Sequence, residues 1–171
     1  TTADLSADLR VAWTSTHLYL AATLADDVIV GNNSSQIWGD DAFEFGIRSS
    51  DTTHQFTIAA DGRQADRGSA ISTLTVMTRT VSGGWSLEVA LPVAALGLTE
   101  LQSGDEFAFT WALWDDDLFT YPGQTHMFWQ GDSTSISGAD WGILSLSTDT
   151  HSIPTVSQIM AHKAGGMPSV D

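Results

Sequence analysis

The sequence contains no cysteine, which excludes disulfides and thiolate metal sites. Positive charge is scarce. Lys163 is the only lysine, and Lys and Arg together number 6 against 21 acidic residues, for a net charge of −15. Such a balance argues against nucleic acid or an anionic membrane surface as a partner. No run approaches the roughly 18 apolar residues of a membrane span. There is no GxGxxG, P-loop, HExxH or GxSxG motif, and no short-period repeat. The chain opens on Thr1 without a signal peptide, and a processed or excised fragment is expected.

What is present is a globular composition. Hydrophobic residues make up 42% of 171, mean hydropathy is −0.01, and tryptophan is abundant at seven. One domain with a sizeable core is expected. Few Lys and many Asp, Ser and Thr suit a secreted bacterial domain.

Alternation of apolar and polar residues predicts strands at 9–14, 17–25, 38–48, 53–60, 70–81, 85–91, 106–114 and 141–147. Turn chemistry lies between them, as at Ser15-Thr16, Asp61-Gly62 and Gly83-Gly84. Residues 92–96 predict one helical turn stopped by Gly97. Residues 118–139 predict a long, functional loop. The fold class that follows is all-β: a two-sheet antiparallel β-sandwich with very little helix.

The residues facing away from the core are unusually small. They are Ala42, Glu44 and Gly46, then Gln55, Thr57 and Ala59, then Ser86, Glu88 and Ala90, then Ala108, Thr110, Ala112 and Trp114. If these strands are neighbours, they form an open, shallow floor with a few placed polar groups, which is a binding-site pattern. The alternative is that a loop or the tail covers it.

At this point the chain resembles the family 9 carbohydrate-binding modules. The resemblance rests on an ordered set: Leu9 to Trp13, His17-Leu18-Tyr19-Leu20, Asp26-Asp27, a Trp-x-x-Asp-x-x-Glu strand at Trp38–Glu44, a Gly-Trp-x-x-Glu-x-x-x-Pro hairpin at Gly84–Pro92, and Trp141-Gly142-Ile143-Leu144. It covers roughly residues 9–147. It implies a β-sandwich, non-catalytic sugar binding, secretion with a carbohydrate-active enzyme, and structural calcium. In such modules two tryptophans sandwich a sugar while a Glu with Arg, Asn and Gln bonds its hydroxyls. Trp38 matches one clamp tryptophan, Glu44 the Glu and Gln55 the Gln. Thr57 stands where an Arg is expected and Ala59 where an Asn is expected. Residues 133–139 supply no second clamp tryptophan.

The module is expected to span residues 1–148. The remainder, 149–171, is a tail, a linker, or the lead-in strand of a following module. Its Val156-to-Asp171 stretch resembles the lead-in segment that family members carry before their first strand. It would open a tandem module or supply a missing edge strand, here or to a neighbour.

Candidate sugar-binding residues are Trp38, Glu44, Gln55, Trp114, Tyr121 and Trp129, because an indole or phenol face stacks on the C–H surface of a pyranose. Candidate cation ligands are Asp26, Asp27, Asp40, Asp41, Asp115 and Asp116, with Asp117 beside them, because calcium takes clustered carboxylate and carbonyl oxygens. The expected partners are a polysaccharide or oligosaccharide and tethered neighbouring domains, with no nucleic acid and no membrane span. The expected location is extracellular, secreted or at the cell surface. The alternative function is a structural or protein-interaction module of the same fold that has lost sugar binding. Two minor readings complete the set: haem held by Met77 and His126, and glycoside hydrolysis by Glu44 with Glu88.

Overall fold

The computed structural model describes residues 5–31, 36–66, 69–70, 72–117, 125–131, 140–148 and 158–163, with 69–70 and 158–163 described by backbone alone. Twelve strands follow in chain order. They are β1 (Ser6–Trp13), β2 (His17–Ala25), β3 (Ala42–Ser49), β4 (Thr52–Ala59), β5 (Gln64–Asp66), β6 (Ser69–Ala70), β7 (Thr75–Val81), β8 (Gly84–Pro92), β9 (Glu106–Asp115), β10 (Thr125–Phe128), β11 (Gly142–Ser147) and β12 (Gln158–Lys163). Among the described residues the helical content is two short 3-10 turns, Ile37–Gly39 and Val93–Leu96.

Two antiparallel sheets pack face to face. One runs β6-β5-β4-β3-β9, with β10 and β11 sharing the far edge of β9. The other runs β1-β2-β8-β7. Strand β12 lies parallel to both β11 and β1 and joins the two sheets along one margin.

The core follows from period-two alternation. Phe43, Phe45 and Ile47 of β3 point inward with Phe56 and Ile58 of β4 and with Phe107, Phe109, Trp111 and Leu113 of β9. Facing them are Val11 and Trp13 of β1, Leu18, Leu20 and Leu24 of β2, and Trp85, Leu87, Val89 and Leu91 of β8. Phe45 is the hub of the aromatic packing, with ring centroids 5.2 Å from Phe56, 6.1 Å from Phe43 and 6.3 Å from Phe109. Trp13 closes one end by donating its Nε1 hydrogen to the carbonyl of Ser147 at 3.1 Å.

Four expectations need correction. The strand read from Trp38 starts at Ala42, because Ile37–Gly39 form a 3-10 turn first. The strand read as 70–81 is Thr75–Val81, with Leu74 buried ahead of it. The long loop 118–139 contains β10, which pairs with Leu113, Trp114 and their neighbours. Strand β8 does not adjoin β3, β4 or β9; it sits between β2 and β7 in the opposite sheet. Ser86, Glu88 and Ala90 therefore leave the proposed floor.

Among the described glycines, Gly84 is the least open to a side chain. Its φ is +149°, and a Cβ there would overlap the carbonyl oxygen of Leu24. Backbone cannot yield as a flexible side chain would. Gly84→Ala is expected to destabilise the fold by on the order of 3 kcal/mol, read as a lowered urea midpoint.

Candidate functional site

The outward face of β3, β4 and β9 can be read row by row from the strand register. Ala65, Thr57, Glu44, Ala112 and Phe128 form one row across β5, β4, β3, β9 and β10. Ala59, Ala42, Trp114 and His126 form the next. Gln55, Gly46 and Thr110 form a third. The floor is thus made of small side chains, as the sequence predicts, but with one carboxylate at its centre instead of two, because Glu88 lies in the other sheet. It is not open, however. Ala42, Ala59, Thr110 and Ala112 are fully buried, and Glu44 is only 2% exposed. The expectation of an open surface is corrected to a covered floor.

Two aromatic groups rise from it. Trp38 sits in the 3-10 turn and packs against Ile37, Ala59 and Ala65, half-buried, on the β4–β5 side. Asp40 directly follows the turn, and its buried carboxylate pairs with the guanidinium of Arg63. Arg63 also pairs with Asp61 at 2.7 Å. On the β9–β10 side, Trp114, His126 and Phe128 form a cluster. Trp114 lies 5.2 Å from His126 and 6.4 Å from Phe128, the latter edge-on at 79°. His126 is exposed, while Trp114 and Phe128 are half-buried. Beneath them Thr57 Oγ1 donates to Glu44 Oε2 at 2.7 Å.

The structure sorts the candidate sugar residues. Trp38, Glu44, Gln55 and Trp114 belong to this one face. Trp129 does not. Alternation through β10 carries it inward with Met127, where it packs on the core and lies over Gly142. Tyr121 lies outside the described residues. His126 as part of this cluster, and Phe128, were missed by the sequence reading. The alternation of Thr125-His126-Met127-Phe128-Trp129 carried the signal.

Geometry also removes two minor readings. Met77 is exposed on β7, outside the second sheet, whereas His126 lies outside the first. The core stands between them, so they cannot share an iron. Glu88 is likewise on the outer face of the second sheet, opposite Met77. It cannot act with Glu44 across one glycosidic bond, which requires carboxyl groups within about 10 Å.

A second site lies where the chain leaves β2, enters β3 and leaves β9. Carboxylate oxygens of Asp26, Asp41 and Asp115 lie within 4.8 Å of one another, and those of Asp26, Asp27 and Asp117 form an adjoining group. Asp41 is the pin. Its two oxygens accept from the backbone N–H of Val30 and, at 2.7 Å, from that of Asp116, while its own N–H bonds the Val30 carbonyl at 2.9 Å. Asp116 thus contributes its backbone to the cluster, and Asp40 faces Arg63 instead. Burial raises the Asp41 pKa to about 7, opposed by those two N–H bonds and aided by the charges of Asp26 and Asp115. Burial also raises that of Asp26, against the N–H of Val28 and with the charge of Asp117. Burial and the Asp27 charge raise that of Asp117. Gathered carboxylates of this kind are a candidate donor set for a hard cation.

A β-sandwich with an aromatic-walled, small-residue face and an acidic cation-type cluster defines a ligand-binding module. Residues 1–148 match the family described as Carbohydrate family 9 binding domain-like, and the chain belongs to that family. Among solved structures, it is similar to a family 9 carbohydrate-binding module from Caldicellulosiruptor kristjanssonii in complex with cellotriose. The TM-score is 0.71 at 14% identity, covering 91% of this chain and 83% of that one. A family 9 module from the same organism in complex with glucose superposes with a TM-score of 0.66 at 13% identity, over 91% and 83% of the two chains. At such identities the likeness is one of fold. No curated protein matches the chain.

Proposed function

We propose that this chain is a non-catalytic carbohydrate-binding module of a secreted or cell-surface protein, tethered to neighbouring domains that act on or attach to the glycan. The glycan lies between Trp38 and the Trp114–His126–Phe128 cluster, above Glu44 and beside Gln55. The observation that carries this reading is the row Ala59–Ala42–Trp114, which sets the Trp38 side and Trp114 two strand spacings apart, roughly 9–10 Å. A sugar ring in contact with an aromatic face on each side, at about 3.5–4.0 Å per contact, needs roughly 7–8 Å. The side chains of the floor between them are small. In this reading Trp114 takes the part of the second clamp tryptophan that residues 133–139 do not supply. The ligands of the two similar structures, cellotriose and glucose, make glucans the first class to test.

Calcium is the proposed structural cation, held by Asp26, Asp41 and Asp115 with Asp27 and Asp117 adjoining. When bound, it supplies the positive charge against which these carboxylates ionise. The protein's part is to fix the ligands: Asp41 ties the segment after β2 to the end of β9, so the cluster forms only when both are in place.

Affinity electrophoresis through soluble glucans, with calcium present, tests the sugar reading. Retardation of the wild type and its loss in Phe128→Ala are expected. Equal migration with and without every polysaccharide would favour a second reading, a protein-interaction module of the same fold. That reading draws support from Glu44, which is buried and already engaged by Thr57.

A further inference from the structure

Strand β12 differs from the other eleven in three ways. Its pairings with β1 and β11 are parallel, whereas every other pairing among the described strands is antiparallel. It lies beyond residues 1–148, where the family match ends. Only ten residues separate Ser147 at the end of β11 from Gln158 at the start of β12. Adjacent parallel strands ordinarily need a crossover of about a dozen residues or more.

The slot that β12 fills is well defined. Ile143 to Ser147 of β11 pair with Gln158 to His162, and Ala12 and Trp13 of β1 pair with His162 and Lys163. The other edge of β11 is taken by β9, and that of β1 by β2. Without β12, two facing strand edges would expose unpaired N–H and C=O groups at the margin of a core that includes Val11, Trp13, Leu144 and Leu146. Such a pair of edges accepts an extended segment through main-chain hydrogen bonds.

We propose that the β1/β11 slot is a strand-acceptor site, and that the 158–163 segment of a second copy of this chain fills it by exchange. The ladder formed is the same whether the donor is the chain's own segment or its neighbour's, so exchange costs no pairing. Replacing a strand by an identical strand of a second protomer is a low-cost route to a dimer. The occupant is a strand of this sequence in this register, and the balance between the two forms is set by protein concentration.

The absence of native cysteine makes a covalent test clean. Parallel neighbours in register lie about 4.8 Å apart, within the Cα separation a disulfide accepts. Full-length Ala12→Cys and His162→Cys are prepared separately, one carrying a size tag, then mixed at high concentration and oxidised. The expected result is a 12–162 heterodimer well in excess of either homodimer, rising with concentration. The Ala12→Cys/His162→Cys double variant, oxidised dilute, is expected to link within one chain. Intrachain linkage of the double variant with no excess of heterodimer in the mixture would overturn the proposal, and so would failure of both to link. Light scattering of the wild type adds a variant-free readout: mass rising with concentration is expected, and a constant monomer mass would contradict exchange.

Discussion

Asp41→Ala is expected to lower the unfolding free energy by about 2–4 kcal/mol, measured by urea denaturation with calcium present. The substitution leaves the buried N–H groups of Val30 and Asp116 without their acceptor, and each such group costs about 1–3 kcal/mol. Part of that loss is offset because a carboxylate that resists ionisation is removed. For a domain of this size the change corresponds to a melting temperature lower by roughly 5–15 °C. Calcium itself should stabilise the wild type by about 2.7 kcal/mol at a free concentration one hundred times its Kd, and this increment should largely vanish in the variant. The sign of the pH dependence follows from the Asp41 pKa of about 7. An unfolded aspartate gives up its proton near 3.9, so the folded, metal-free protein holds a proton the unfolded chain has lost. Stability of the chelated protein should therefore fall as pH rises from about 4 to about 7. Calcium competes with that proton, so its stabilising increment should grow over the same interval. An increment that is flat or declines with pH would contradict the cluster as the cation site.

Trp114→Ala is expected to weaken glycan binding by about 2 kcal/mol, roughly 30-fold, with the fold retained. Trp114 stands on the outward face beside His126 and Phe128 and is only half-buried, so truncation removes a contact surface more than a core element. Trp129→Ala is the informative contrast. Trp129 packs on the core side over Gly142, and its loss should act mainly on stability, by about 2–3 kcal/mol. Calorimetric titration for affinity and thermal unfolding for stability should separate the two tryptophans. If Trp129→Ala impaired binding while leaving stability intact, and Trp114→Ala did the reverse, the assignment of faces would be wrong.

These two residues also show where the sequence was legible. Alternation sorted inward from outward residues on every long strand: Phe43, Phe45 and Ile47 entered the core, and Ala42, Glu44 and Gly46 faced away. Alternation assigns a face without naming the sheet, so Glu88 was grouped with Glu44 although the core separates them. The four-residue strand β10 sat in a polar, loop-like context, and pairing with β9 rather than local propensity makes it a strand. With β10 unrecognised, Trp129 was taken for a groove residue and Phe128 was passed over. The acidic cluster was legible as a set of clustered aspartates. Its division was not, because the pairing of Asp40 with Arg63 spans 23 residues and depends on where the turn after β4 returns.

The central claim is that the face above Glu44 binds glycan between Trp38 and Trp114. Calorimetric titration of the calcium-loaded wild type with cellotriose and a panel of other soluble oligosaccharides tests it most directly. The account predicts saturable binding to at least one glucan, with a Kd of roughly 10 μM to 1 mM, reduced at least tenfold in both Trp38→Ala and Trp114→Ala. A folded, calcium-loaded protein that gave no binding heat with any glycan, or whose binding survived both substitutions, would contradict it.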